Sequence, residues 1–284
     1  MNTSNSLAGY REARGIAAAH YENFPVVSLF IKKDLRDDVA IIYWFARTAD
    51  DIADEGTADA ARRIEYLDRF AERLQNGIHG NYLTDLDAAL AETIHKHSLD
   101  PENFFALISA FKQDIVKKRY DSMEELLDYC TRSANPVGRL ILGLYGLHDD
   151  ESLQLSDCIC TALQLTNFWQ DVSVDVDKNR IYVPNYFMNN YGVEESVFKN
   201  KETNVKLRDM MKILCNFTEN LFFEGEGLIK RLPKPLRYEI AWTVLGGKKI
   251  LDNIKKISYN VTRERVILSK YNLIQLGVRS IFYD

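Results

Sequence analysis

The amino-acid sequence predicts an all-α fold, a bundle of long helices in a single domain spanning residues 1–284. Only 14 glycines and 6 prolines occur in 284 residues, which disfavours turn-rich β structure. Hydrophobic residues make up 46% of the chain, enough to fill a large core. Most of them recur at the three- and four-residue steps of a helix, and no segment alternates convincingly as a strand does.

Apolar residues at helical spacing, together with capping residues and prolines, define the predicted helices of the first half. Leu67, Phe70 and Leu74 recur at helical spacing in one of them. Asp100 is a good helix cap, and Pro101 fits the first turn of the helix that follows. The predicted helices of this half cover residues 7–21, 33–55, 59–75, 83–97 and 101–118.

Proline also separates the elements of the second half. Asn135 and Pro136 divide two short helices, and Pro233 and Pro235 end a long amphipathic one. Residues 185–192 are polar and aromatic and are predicted as a loop, followed by a single helical turn over 194–199. The predicted helices of this half cover residues 123–130, 137–145, 152–175, 204–231, 236–257 and 264–276.

Composition excludes several classes of function. The net charge is −5 and no basic block occurs, so we expect no nucleic-acid partner. The four cysteines match neither a zinc site nor a redox pair and are predicted to be reduced. No apolar run approaches the ~20 residues that span a bilayer, and the first fifteen residues lack a signal-peptide core. These features predict a cytoplasmic protein.

A polar stripe runs along the predicted helix over 152–175. Gln164, Asn167, Asp171 and Asp175 follow one another at steps of three, four and four, which keeps them on one face. The two aspartates are about 6 Å apart along the helix axis. Oxygen-rich stripes of this kind suit a hard cation such as Mg2+.

A second stripe has the same spacing. Arg47, Asp50 and Asp54 share a face of the helix over 33–55, with Asp51 beside them. One Asp-x-x-x-Asp sequence is usually a solvated helix face. Here both copies follow strongly apolar segments, and neither shows the lysine–glutamate interleaving of a solvated helix. If the two pairs face each other inside a bundle, a bound cation is the simplest way to offset their repulsion.

Four segments carry a resemblance to the squalene/phytoene synthase family. They are RTADDIAD (47–54), FKQDIVKKRY (111–120), YCTRSANPVG (129–138) and QLTNFWQDVSVDVDKNRIYVP (164–184). The resemblance implies an isoprenoid-synthase helical bundle with a central cavity. It also implies that the two aspartate helices face each other across the cavity mouth and hold Mg2+ on the diphosphate of a prenyl substrate.

The resemblance also assigns roles to individual residues. Asp50, Asp54, Asp171 and Asp175 are expected to be catalytic metal ligands, together with the amide oxygen of Asn167. Substrate binding is expected from Arg47, Asp51, Tyr129, Gln164, Asn167, Arg180 and Tyr182. For the two arginines a structural salt bridge is the alternative, and for the two tyrosines it is a place in the core.

Shorter segments point to one branch of the family. ENFPV (22–26), SANPVG (133–138) and TNFWQDV (166–172) resemble the bacterial hopanoid-pathway branch that makes hydroxysqualene from presqualene diphosphate. That reaction captures a cation with water, so Mg2+ but no NADPH is expected, and Asn23 is a candidate for positioning the water. Its oily product is compatible with peripheral membrane contact and with partner enzymes of the pathway.

Three other interpretations stay open. The same fold also condenses two prenyl diphosphates head to head, giving presqualene diphosphate, squalene or phytoene-type products. A non-catalytic helical scaffold would need degraded aspartate motifs, and here these are intact. An unrelated metal-dependent hydrolase is disfavoured by the arginines and by the apolar interior.

Overall fold

The computed structural model describes residues 3–19 and 31–283, and in these residues it contains α-helices, short 3-10 turns and no strand. The predicted all-α class is therefore confirmed. Asn23 and the ENFPV sequence lie outside the described residues, so the role of Asn23 stays a prediction. None of the described helices is both long and apolar enough to cross a membrane.

Helices follow one another along the chain with short connections. In chain order they are α1 (Thr3–Ala19), α2 (Arg36–Asp54), α3 (Ala60–Ile78), α4 (Asp85–His97), α5 (Glu102–Val116), α6 (Met123–Ser133), α7 (Asn135–Leu144), α8 (Asp150–Gln170), α9 (Val172–Asp175), α10 (Asn185–Tyr191), α11 (Glu195–Lys199), α12 (Val205–Gly225), α13 (Gly227–Arg231), α14 (Lys234–Lys256) and α15 (Lys270–Ile281).

Residue contacts divide the chain into two units. Unit 1 comprises Met1–Val116 and Pro136–Leu153, and unit 2 comprises Lys117–Asn135 and Gln154–Asp284. The first aspartate motif belongs to unit 1 and the second to unit 2. Whether the two units form the single predicted domain stays a prediction.

Unit 1 is built around α2, which packs against α1, α3, α4 and α5. Phe45 of α2 is buried, stacks on Phe70 at 4.8 Å and meets Phe104 edge-on at 5.0 Å. Asp38, also buried, accepts hydrogen bonds from Thr93 at 2.9 Å and from Lys96 at 2.8 Å. A buried carboxylate needs such partners, so this network ties α2 to α4 below the first motif.

Unit 2 places α8 beside α12 through a polar anchor in an apolar core. Trp169 is fully buried and its indole N–H donates to the Thr218 hydroxyl at 2.8 Å. At Gly225 an added Cβ would lie 2.6 Å from the Ile159 side chain and 2.9 Å from the Leu155 carbonyl oxygen. Only glycine permits this close approach, which fixes the end of α12 against α8.

Several predicted elements differ from the structure. The helix over 152–175 is interrupted at Asp171, and the helix over 204–231 is divided at Glu226 into α12 and α13. The predicted loop over 185–192 is wrong, because α10 forms there. Pro184 precedes this helix and Gly192 ends it with φ of 61°, a left-handed cap that favours glycine.

The start of the last predicted helix, at residue 264, is also wrong. α15 begins six residues later, after Ser269. The Ser269 side chain accepts the Asn272 N–H at 3.1 Å, and the side chain of Asn272 reaches back to the backbone N–H of Ser269. This reciprocal capping box determines where the helix starts.

All four cysteines are free thiols, as predicted. Cys130 and Cys215 are buried, and burial raises the pKa of each to about 12.

Candidate active site

The first aspartate motif occupies the last turns of a continuous helix. Arg47 lies 2.7 Å from Asp51, 3.6 Å from Asp50 and 3.1 Å from Glu55, all on or just beyond α2. Burial alone would lower the pKa of Arg47, but Asp51 and Asp50 outweigh it and the pKa is raised. The arginine is therefore held by carboxylates of its own motif.

Three carboxylates of this motif lie at the negative end of the α2 dipole. Asp50 and Asp51 are 43% and 38% exposed, and Asp54 is exposed in the final turn. A helix C-terminus disfavours negative charge and attracts cations. The donor oxygens and their position therefore suit a hard divalent ion bound from solvent.

The second motif lies on either side of a helix break. α8 ends at Gln170, and Asp171 leaves the helical region with φ of −99° and ψ of 8°. The N–H of Asp171 still donates to Asn167 at 2.9 Å, and that of Asp175 donates to Asp171 at 2.8 Å. These bonds preserve the four-residue repeat, so the three polar residues remain in line although the regular helix stops.

Burial and neighbouring charges shift the pKa values of both aspartates of the second motif. Burial raises the pKa of Asp171, and Arg265 opposes the rise with a two-pronged ion pair at 2.5 and 3.0 Å. Burial and then the neighbouring Asp171 raise the pKa of Asp175 to about 6, against Arg180 and Lys178. Two carboxylates whose ionised forms are disfavoured make a site that a cation would stabilise.

Aromatic rings line the pocket next to Asp175. Tyr182 stacks on Phe168 at 3.8 Å and on Tyr120 at 5.7 Å. Asp175 and Arg180 line the same small pocket as Phe168 and Tyr182. Tyr129 is buried and its ring centre lies 6.4 Å from that of Tyr182.

The segment after Asp175 is held by an arginine that the sequence argument did not single out. Arg119 donates to Glu195 at 2.6 and 2.9 Å and to the main-chain oxygen of Asn179 at 2.6 Å. Asn179 has φ of 58°, so the chain reverses there before Arg180. The N–H of Ile181 then donates to Lys118 O at 3.1 Å, which fixes the pocket wall.

The structure therefore gathers the predicted residues in two groups. Unit 1 holds Arg47, Asp50, Asp51 and Asp54, and unit 2 holds Tyr129, Gln164, Asn167, Asp171, Asp175, Arg180 and Tyr182. Gln164 is half-buried and Asn167 exposed. Over residues 3–19 and 31–283, no three His, Cys, Asp or Glu side chains cluster as a metal site would, so the metal ligands stay a prediction.

Sequence reasoning missed Arg119 and Arg265. Arg119 lies inside FKQDIVKKRY, a segment that carried the resemblance, so the motif itself was the available signal. Arg265 is separated from Asp171 by 94 positions, and no spacing rule connects them.

An α-helical fold with two Asp-x-x-x-Asp pairs, arginines beside each and an aromatic pocket agrees with the family resemblance of the sequence. The chain belongs to the squalene/phytoene synthase family, whose family model matches residues 17–272. It is thus an enzyme of isoprenoid biosynthesis, a class that acts on prenyl diphosphates.

Relatives in this family resemble the chain over most of its length. A hydroxysqualene synthase of Sinorhizobium fredii is 31% identical over 265 residues, covering 92% of this chain and 88% of that protein. Phytoene synthase 1 of Arabidopsis thaliana is 28% identical, covering 95% of this chain and 66% of that protein. A solved squalene synthase HpnC from Alicyclobacillus acidocaldarius is 37% identical, with a TM-score of 0.85 over 89% of this chain and 95% of that one.

Proposed function

We propose that this enzyme converts presqualene diphosphate and water into hydroxysqualene and diphosphate, with Mg2+ as its metal. The observation that carries the proposal is the unit 2 pocket, where Asp175 and Arg180 lie beside the stacked rings of Phe168 and Tyr182. An anion-binding group beside ring faces suits a diphosphate that leaves behind a carbocation. Similarity to proteins named hydroxysqualene synthase supports this branch.

The residues present fit magnesium. Hard oxygen donors are available at Asp50 and Asp54 in unit 1 and at Asp171 and Asp175 in unit 2, with Asn167 one turn before the second pair. Burial, and next the neighbouring Asp171, raise the pKa of Asp175, so a cation bound there would stabilise its ionised form. Bound there, Mg2+ would act as a Lewis acid that neutralises the departing diphosphate.

The arginines near the two motifs have different proposed roles. We assign Arg47 and Arg180 to the diphosphate oxygens, because a guanidinium group binds phosphate with two parallel hydrogen bonds. Asp51 and Gln164 orient these groups or their waters. Arg265 binds both oxygens of Asp171 in the structure, and each oxygen keeps a further lone pair that a metal ion could share.

The chemical step balances with water alone. The bond between the cyclopropylcarbinyl carbon and the diphosphate oxygen breaks, and the oxygen keeps the electron pair. Water then forms the new carbon–oxygen bond, and the released diphosphate accepts the proton that the water loses. No hydride enters the product, so NADPH is not required. Asn23 is proposed to position the water.

Head-to-head condensation of two prenyl diphosphates is the competing function. Its support is the similarity to phytoene synthases, which extends over most of the chain at lower identity. Both reactions begin with metal-assisted loss of diphosphate, so the aspartate pairs serve either one.

Product analysis by gas chromatography and mass spectrometry separates the two. Purified enzyme with Mg2+ receives presqualene diphosphate in one reaction and farnesyl diphosphate in another, with NADPH omitted from both. We expect hydroxysqualene from the first reaction only, and none when EDTA replaces Mg2+. Presqualene diphosphate or a phytoene-type hydrocarbon from the second reaction would refute the proposal in favour of condensation.

A further inference from the structure

The outward face of α15 is apolar although it faces solvent. Tyr271 is 73% exposed, Ile274 69%, Val278 55% and Ile281 46%. Their spacing of three, four and three places them on one stripe of the helix, and Phe282, 77% exposed, extends it. We call these five residues the α15 stripe.

The opposite face of α15 already satisfies its packing. Leu276 and Ser280 are buried, and the Trp242 indole N–H of α14 donates to Leu273 O at 3.0 Å. The helix is thus anchored on α14 by one side and leaves a second apolar side uncovered. An exposed apolar patch of this extent on a folded helix marks an interaction surface.

Positive charge borders the stripe. At about 100° per residue, Lys270 and Arg279 fall on its two edges, and both side chains are exposed. Lys249 and Lys256 of α14, the helix that packs against α15, extend the basic edge, because Lys249 lies beside Lys256 and close to Arg279. Asp252 is an acidic neighbour of Lys249. The border is therefore basic in a protein whose net charge is −5.

We propose that the α15 stripe and its basic border bind the surface of an anionic phospholipid membrane, with α15 lying in the headgroup plane. An amphipathic helix with an apolar face and flanking lysine and arginine has the chemistry for this surface. The border argues for anionic lipid, because attraction to acidic headgroups complements those cations. The surface is inferred from exposure and charge and goes beyond the proposed function.

The stripe is connected to the second aspartate motif by a short segment. Arg265 binds Asp171, and the Gln170 side chain donates to Val266 O. Ile267, 68% exposed, follows at once, and α15 begins three residues later. Three residues span at most ~10 Å. A membrane under α15 would therefore lie close to the second aspartate motif.

Vesicle co-sedimentation of the full chain tests the proposal. Vesicles of pure phosphatidylcholine are compared with vesicles containing phosphatidylglycerol at equal total lipid. We expect binding to the anionic vesicles that weakens about five-fold for each of Lys249→Gln, Lys256→Gln and Arg279→Gln, as the loss of one surface charge predicts. The double variant Ile274→Ser with Phe282→Ser should lose at least about ten-fold.

Matched control variants distinguish binding through this surface from non-specific binding of the protein to lipid. Leu83→Ser in unit 1 removes an equally exposed apolar side chain, 74% exposed, and Lys212→Gln removes an exposed charge from α12. Both should bind vesicles as the wild type does. Turnover of detergent-dispersed substrate should be unchanged in the α15 variants, so loss of lipid binding is distinguishable from failure of the proposed reaction.

Two results would overturn the proposal. One is a wild-type protein that stays in the supernatant with both kinds of vesicle. The other is a wild-type dimer in sedimentation velocity that the Ile274→Ser and Phe282→Ser variant converts to a monomer, without lipid binding in either. That outcome would assign the stripe to contact between two copies of the chain.

Discussion

The two aspartate motifs share a spacing but are built differently. In unit 1, α2 runs without interruption through Asp50 and Asp54, and Arg47 pairs with carboxylates three to eight positions away. In unit 2 the helix stops at Asp171, and the arginine that binds it lies 94 positions further along the chain. The first motif is thus a local structure, whereas the second depends on tertiary contacts.

Burial explains why the second motif needs distant partners. Asp50 is 43% exposed and water solvates its charge, whereas Asp171 is 26% exposed. A carboxylate removed from water requires a cation or hydrogen bonds, and helix neighbours are too few to supply them. Two sites with the same sequence pattern can therefore differ in how much they depend on distant residues to stabilise their charges.

The largest expected effect tests whether both motifs are needed. Asp50→Ala and Asp171→Ala should each lower turnover at least about a thousand-fold, because each removes charge-stabilising oxygens that the leaving diphosphate requires. Rates with presqualene diphosphate and circular dichroism would be measured together. Asp209→Ala, at an exposed position of α12, is the control. Near-normal turnover in either variant, with helicity retained, would show that the two motifs are not equivalent.

The core beneath each motif should also respond. Trp169→Phe removes the hydrogen bond to Thr218 and leaves a cavity, so we expect a loss of about 1–3 kcal/mol in the free energy of unfolding. Phe45→Leu is the counterpart in unit 1 and should cost a similar amount through lost ring contacts. Denaturant titration measures both. A neutral Trp169→Phe would mean that the Thr218 bond does not support the second motif.

Conservative changes at the two arginines sharpen the comparison. Arg265→Lys loses a two-pronged ion pair between distant segments and should lower stability by about 1 kcal/mol. Arg47→Lys changes only pairs with carboxylates close in sequence and should lower the free energy of unfolding by a few tenths of a kcal/mol, as i,i+4 pairs do. Thermal unfolding of the two variants at matched ionic strength would reveal the order. An equal loss of stability in the two variants would contradict the conclusion that the second motif depends more on distant contacts than the first.

The smallest expected effect concerns the ion pair between Arg119 and Glu195, which holds the segment after Asp175. Hydrogen bonding from Arg119 lowers the pKa of Glu195 to about 2 from its usual 4.5. The stability that ionised Glu195 contributes is therefore complete above about pH 4.5 and is lost as the pH falls towards 2. Because Glu195 is 35% exposed, we expect less than about 1 kcal/mol. The difference in melting temperature between wild type and Glu195→Gln should shrink from pH 6 to pH 3, and a constant difference would exclude this linkage.

Periodicity predicted most of the fold, and its failures have a common cause. The helices of unit 1 were predicted to within a few residues because their apolar faces repeat regularly. The helix breaks at Asp171 and Glu226 were not predicted, because tertiary contacts accompany them. Arg265 binds Asp171, and Gly225 packs against Ile159 just before Glu226. α10 was missed because seven residues are too few for a periodic signal, although Pro184 and Gly192 mark its ends.

Spacing likewise identified the carboxylates of the candidate site but not their cationic partners. Asp171 and Asp175 are one helical turn apart in the sequence, so a local rule finds them. Arg119 and Arg265 reach the same region from positions that no periodicity relates to it. The membership in the squalene/phytoene synthase family was predicted from whole segments, and the family model confirms it.

Two of the four thiols, Cys130 and Cys215, are protected from chemical labelling by burial. Burial raises the pKa of Cys130 and Cys215 to about 12, so little of the reactive thiolate forms at neutral pH and alkylation is slow. Burial also raises the pKa of Cys158. With the partly exposed Cys158 and Cys160 replaced by serine, a single cysteine placed on the exposed side of α15 would react with a maleimide dye in preference to Cys130 and Cys215.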